Sequence, residues 1–233
     1  MRFARLAAVA AIAVATAACG SGSSSNGLAS KSPEDIQSAM IDALKSAKSV
    51  HLKGDMTQDG ERVEMDLQLT NTGEASGTIT SEGNAISIIR VDGDFYMKAD
   101  ADAWEGLSGS ADAAALLSGK WLKVPGGDED FSDFEDLTDL SKLAGNMTAE
   151  GKLTKQPGTK TVNGKKAIVL EDESEDMGLL YVAATGTPYP LRVAPKAGST
   201  DKGYLDFLDY GAPVTIKAPS DAVDLAKLIS GLS

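Results

Sequence analysis

The chain has 233 residues, 34 acidic and 22 basic side chains, a formal charge of −12, one Cys and one His. That length suits one or two domains with a real core, and 42% hydrophobic with 24% charged residues is a globular balance, not that of a disordered tail. The acidity argues against nucleic acid as a partner, because a phosphate backbone rewards clustered Lys and Arg; a single Cys and a single His exclude an intramolecular disulfide and a multi-His zinc site.

Residues 1–18 read as a secretory signal peptide, with Arg2 and Arg5 as a short positive start and Leu6 to Ala15 as an unbroken run of small apolar residues. The run is shorter than the roughly 20 residues a membrane-spanning helix needs. It ends in Thr16-Ala17-Ala18-Cys19-Gly20, and small residues directly before a Cys resemble the bacterial lipobox, in which that Cys is acylated and becomes the first mature residue. The resemblance implies a diacylglyceryl cysteine at position 19 and attached palmitate. Thr16 stands where such signals usually have Leu. The position of the only Cys favours lipidation over the alternative, an Ala-x-Ala cut that leaves a free thiol.

Residues 19–32 read as a Gly/Ser-rich flexible tether, with a reach of roughly 20 Å as a random coil. Two or three acyl chains, at about 0.8 kcal/mol per buried CH₂, make a stable anchor. The expected location is the extracytoplasmic side of the cell membrane, held by lipid. Loss of Arg2 and Arg5 leaves 34 acidic against 20 basic side chains, a charge of −14. Anionic headgroups repel such a surface, so the anchor alone is expected to hold the chain there.

Residues 33–233 read as one domain. Ser32-Pro33-Glu34-Asp35 is a helix start, and Ile36, Met40, Ala43, Leu44 and Ala47 make one apolar stripe as far as about Lys48. The period then changes to two. Val50, Leu52 and Met56 alternate with polar residues, as do Val63, Met65, Leu67 and Leu69. Turn residues recur at Gly60, Gly73, Gly83 and Gly93, with spacings of 13, 10 and 10, the rhythm of an antiparallel meander. Ala111 to Leu117 reads as helix and Trp121 to Pro125 as a short extended piece. Phe131, Phe134, Leu137, Leu140 and Leu143 read as helical turns with an acidic outer face. Strands resume at Leu153, with an Asn163-Gly164 hairpin, and end with Val214 to Lys217; a short terminal helix follows from Pro219 and Ser220. The predicted class is α+β, with about ten or eleven strands in one large antiparallel sheet and a few helices.

Catalytic and metal motifs are lacking. No phosphate loop and no Gly-x-Ser-x-Gly elbow is present. His51, between Val50 and Leu52 in a strand, is predicted to point outward, and without a second His or a paired Cys it is a poor catalytic base. The acidic runs at 128–139 and 171–176 match no EF-hand window and read as solvated faces. No cofactor and no metal is expected, and the chain reads as a non-enzyme and a monomer. Gly54, Ala75, Gly77 and Ala85, with Met56, Met65 and Met97, suit an apolar ligand pocket or an ordinary helix-on-sheet core equally well.

Taken in order, several segments resemble the actinobacterial LppX/LprG lipoprotein family, whose fold is LolA/LolB-like. They are the Cys19 lipobox with its polar tether, Leu44 to Leu52, Val91 to Lys98 followed by Trp104, Trp121 to Val124, and Val162 to Ala167. Val182 to Val193 and Tyr210 to Ile216 complete the series. The resemblance implies a half-barrel of antiparallel strands wrapped on helices. It also implies a hydrophobic cavity that takes acyl chains of envelope lipids or lipoglycans, as a lipid carrier or chaperone. By strand alternation, Val63, Met65, Leu67, Leu69, Ile79, Ile86, Ile88, Phe95 and Met97 are the expected lining. The competing expectation is a closed-core envelope lipoprotein that serves a protein partner or a sensing role.

Overall fold

The computed structural model describes residues 25–58, 60–124, 132–149, 151–174, 178–224 and 227. The signal peptide, Cys19, the acids at 128–130, Phe131, Glu175, Asp176 and the apolar residues Leu225, Leu228 and Ile229 lie outside the described residues.

Helix α1 (Pro33–Lys45) starts as its sequence dictates. Ser32 Oγ accepts from the Asp35 backbone N–H at 3.1 Å, Pro33 opens the first turn, and Glu34 and Asp35 lie at the positive end of the helix dipole. Ile36, Met40 and Leu44 are fully buried, and each such side chain stabilises the fold by about 1.5–3 kcal/mol. The helix stops at Lys45, short of Lys48, because Ala47 turns into the core and the first strand begins at Ser49.

Strands β1 (Ser49–Gln58), β2 (Glu61–Thr70), β3 (Ala75–Ser81), β4 (Asn84–Val91) and β5 (Asp94–Ala99) form an antiparallel meander in which each pairs with the next. The hairpin at Asp92-Gly93 has φ of 54° and 82°, and the one at Asn163-Gly164 has 48° and 75°. Both residues are left-handed in each, the type I′ geometry that matches strand twist. Helices α2 (Ala101–Ser108) and α3 (Ala111–Leu117), strand β6 (Leu122–Val124) and helices α4 (Ser132–Thr138) and α5 (Leu140–Asn146) interrupt the meander. Asp100, Ser110 and Asp139 cap α2, α3 and α5 through their side chains. Strands β7 (Leu153–Lys155), β8 (Lys160–Val162), β9 (Lys165–Asp172), β10 (Leu179–Ala183), β11 (Pro190–Ala194), β12 (Lys202–Leu208) and β13 (Val223–Asp224) follow.

All 13 strands belong to one sheet, in the order β13-β6-β5-β4-β3-β2-β1-β12-β11-β10-β9-β7, with β8 also on β9. Among the described pairings, only β13 with β6 is parallel. No pairing among the described residues joins the β13 end to the β7 end, so the sheet is open. One core lies between its inner face and the helices. A small second cluster, Val162, Ala167, Ala183 and Leu191, lies beneath the β8–β9 hairpin.

Three expectations change. The strand count rises from ten or eleven to 13, because short pieces such as β8 and β13 join the ladder. Val214 to Lys217 forms no strand, and Val223–Asp224, expected as helix, is a strand on β6. Residues 25–32 of the expected flexible tether are seated on the domain: Ser25 bridges Thr185, the Asn26 side-chain amide donates to Ala183 O at 2.8 Å, and Lys155 Nζ donates to Ala29 O and Lys31 O at 2.7 and 2.9 Å.

Candidate functional site

The nine residues expected as lining stand on four adjacent strands, and the ladder puts them on one face. Met65 pairs with Ile79 and Ile79 with Ile86, while Leu67 is level with Gly77, Gly77 with Ile88, and Ile88 with Met97. Phe95 completes the row on β5 beside Val124. The face continues beyond the prediction onto β1 and β12, through Leu52 opposite Leu67 and Phe207 opposite Leu52. Leu122, Ile168, Leu170, Leu180 and Val182 extend it to both flanks.

This face is packed in its middle and looser at one margin. Leu67, Leu69, Ile88 and Met97 are 0% exposed and Phe95 is 1% exposed. These side chains are closed off from solvent by the rest of the core. Ile79 is buried as well, whereas Val63, Met65 and Ile86 are half-buried, as is their neighbour Met56. The four mark the end of the face formed by the C-terminal half of β1, the start of β2 and the start of β4. Helix α2 follows β5 from the same end, and Leu107 on α2 and Leu116 on α3 are exposed.

The pocket-forming reading of the small residues needs correction at three of its four positions. A Cβ on Gly54 would lie 2.2 Å from Tyr204 O, and one on Gly77 would lie 2.0 Å from Asp66 O. These glycines let neighbouring backbones close up, so they do not open space. Ala85 pairs with Thr80, faces outward and is exposed. Only Ala75 lies in the core.

Helix placement on this face uses two polar contacts that patterning did not reveal. Arg90 enters from β4, and its guanidinium reaches the Asp139 carboxylate at 3.7 Å. Asp139 in turn accepts from the N–H groups of Ser141 and Lys142 at the start of α5. The buried Gln37 side chain on α1 donates to Met147 O at 3.1 Å. The only early signal for either was a polar residue at an apolar-phase position.

The outer face is polar, and His51 points there as expected. Its Nε2 lies 2.7 Å from Asp66 Oδ1, its Nδ1 3.3 Å from Asp209 Oδ2, and Lys53 Nζ reaches Asp66 Oδ2 at 2.6 Å. The Lys53 hydrogen bond, with a further contribution from His51, holds the Asp66 carboxyl below its usual range, and Arg62 does the same to Asp55. Catalytic general acids need raised values, so these carboxylates are not poised for acid catalysis. A groove of about 940 Å³ runs over this face, lined by residues that include Lys53, Asp55, Arg62, Glu64 and Tyr204. Sequence reasoning gave it no role. On its rim Arg192 lies 3.6 Å over the Tyr204 ring and binds both oxygens of the buried Asp206, at 2.5 and 2.8 Å. No group of three or more His, Cys, Asp or Glu side chains among the described residues is arranged to hold a metal, and no described helix is long and apolar enough to cross a membrane.

No protein-family model matches the chain, and no curated protein matches it. Its fold does match solved structures. LprF from Mycobacterium bovis superposes with a TM-score of 0.54 at 16% identity, over 81% of this chain and 98% of that one. The Mycobacterium tuberculosis lipoprotein LppX superposes with a TM-score of 0.51 at 16% identity, over 80% of this chain and all of that one. The expected resemblance in fold to the LppX/LprG group is therefore present across nearly the full length of both neighbours.

Proposed function

We propose that this chain is a membrane-anchored lipoprotein, acylated at Cys19, that binds acyl chains of envelope lipids or lipoglycans without acting on them chemically. The observation that carries this reading is the apolar sheet face, continuous over many strands, with its looser margin at Met56, Val63, Met65 and Ile86. Burial supplies the binding energy, at about 25 cal/mol per Å² of apolar surface. Met56 and Met65 suit an irregular chain, because an unbranched thioether adapts to many shapes. The likeness to a protein described as a lipoprotein supports the anchored reading. Within this proposal the three half-buried members of the predicted lining meet the ligand first, and the six buried members form the floor.

The test is extraction of the chain purified from its own host, followed by mass spectrometry, with uptake of a fluorescent fatty acid alongside. Co-purified lipid and saturable uptake are the expected results. A specific observation favours the competing reading, a closed core that serves a partner or sensing role: Leu52, Leu67, Leu69 and Ile88 are fully buried by the chain's own side chains. Absence of both lipid and uptake would select that reading.

A further inference from the structure

The −12 charge is not spread evenly. Residues 25–32, 151–170 and 184–191 carry six lysines and no carboxylate, which leaves 16 basic against 34 acidic side chains elsewhere. The fold gathers these three segments at one corner. Ala184 N donates to Lys166 O at 2.8 Å on one side, and Ala184 O accepts from Asn26 N at 3.1 Å on the other. The β8–β9 hairpin, the end of β10 and the Ser25–Lys31 strap are therefore neighbours. Lys160, Lys165 and Lys166 on the hairpin are exposed, and no ion pair among the described residues engages them. Asn163 at the hairpin tip donates to Asp206 Oδ2 at 2.9 Å, a carboxylate whose charge Arg192 already meets.

The strap is the chain's link to Cys19. It is pinned by the Ser25–Thr185 bridge, by Asn26 and by Lys155, so the segment that leads to Cys19 joins the described chain at Ser25, beside these lysines. We propose that this corner is the surface that faces the anionic headgroups of the membrane, with Lys160, Lys165 and Lys166 as the contact residues and the strap fixing the orientation. The proposal rests on the anchored reading above. It modifies the sequence-based expectation that surface charge only repels the chain from the membrane: the acids repel, and this corner attracts. Glu74, Asp92 and Asp94 occupy the turns of the meander at the same end of the strands, so attraction is confined to the β8–β10 side. The register from β10 through β11 and β12 to β1 places the strap level with His51, and Met56 at the opposite end. The looser apolar margin is thereby turned away from the bilayer that holds the chain.

Lysines at an anionic surface each favour contact by about fivefold, so three give on the order of a hundredfold. The full chain is purified from its host and reconstituted with vesicles of phosphatidylcholine alone or phosphatidylcholine with phosphatidylglycerol. Flotation reports the anchor, and labelling of lysine amines by a water-soluble acylating reagent, read by mass spectrometry, reports the corner. The expected result is flotation with both vesicle types, with Lys160, Lys165 and Lys166 protected on the anionic one only. Lys98 and Lys202, near the other end of the strands, should label alike on both. Protection should vanish at about 1 M salt, where the screening length is about 3 Å. In K165E/K166E, Lys160 should lose at least tenfold of its protection while flotation persists, and Asn26→Ala should weaken protection by releasing the strap. Equal labelling of the three lysines on both vesicle types, or protection of Lys98 in their place, would overturn the proposal. Failure to float with neutral vesicles, with lysine protection intact on anionic ones, would overturn the anchored reading and leave the corner standing.

Discussion

On the inner side of β1 and β2, Val50, Leu52, Leu67 and Leu69 are buried in the core; on the outer side of the same strands, His51, Lys53 and Asp55 pair with Asp66 and Arg62 of the neighbouring strand, and Glu64 pairs with Arg62 of its own. The inner row derives its stability from removal of apolar surface, which has no substitute. The outer row derives little, because its ion pairs are half exposed and compete with water. One outer rung even sets two acids opposite each other, Asp55 and Glu64, and Arg62 offsets the repulsion by binding both. Fold is thus written on one face and surface chemistry on the other. Substitutions on the two faces should separate by several kcal/mol, and the following predictions press on that difference from the largest effect to the smallest.

The most damaging change should be Gly54→Val, on the inner phase of β1. Its Cβ would collide with the Tyr204 backbone carbonyl, which is not a flexible neighbour. Strands β1 and β12 would have to part, at a cost of more than about 3 kcal/mol in urea unfolding. Leu67→Ala should cost about 3–5 kcal/mol through lost burial and a residual cavity. Met65→Ala, at the looser margin of the same strand, should cost about 1–2 kcal/mol because its side chain is already partly in water. The pair also tests function: Met65→Ala should reduce fatty-acid uptake more than it reduces stability, and Leu67→Ala the reverse.

Asp206 is the place where the two-face contrast should weaken. It lies on the outer face but is 7% exposed, and it carries Arg192 on two bonds and Asn163 on a third. Asp206→Ala would strand a partly buried guanidinium, and a loss of about 2–3 kcal/mol is expected from thermal or urea unfolding. An effect under about 0.5 kcal/mol would show that this carboxylate behaves like its exposed neighbours.

The same contrast explains what could be read from sequence. The β2–β5 meander was legible because one side of each strand must be apolar, and period two plus the Asp92-Gly93 turn fixes both facing and register. The Ser32 cap and the Asn163-Gly164 hairpin were legible for equally local reasons. Contacts made across long stretches of chain were not. Strand β13 is two residues long and exists through pairing with β6, a hundred residues earlier. Val214 to Lys217 alternates like a strand, but no ladder partner for it stands among the described residues, and alternation says nothing about partners. Of the expected site, the common face of the nine residues was legible from alternation. The division between packed middle and looser margin was not, because it depends on where the helices lie. The Lys160–Lys166 corner looked unremarkable within an acidic chain until the fold set it beside the strap.

The smallest predicted effect is also the most direct check on the outer face. Asp66 is bonded by Lys53 first and by His51, and its folded-state carboxyl titrates below its ordinary value of 3.8. A depressed carboxyl contributes stability that is present above the unfolded value and is lost as pH falls through the folded one. Asp66→Asn should therefore cost under about 1 kcal/mol at pH 7, once solvent screening of a half-exposed pair is allowed for. The difference from the parent chain should shrink as pH falls from the ordinary carboxyl value of 3.8 through the lower folded-state one and the parent carboxyl protonates. Urea unfolding of both proteins across the acid limb measures this. A loss of several kcal/mol at pH 7 would mean that the outer charges organise the sheet as strongly as the inner face does, and the two faces would then have to be treated as one structural unit.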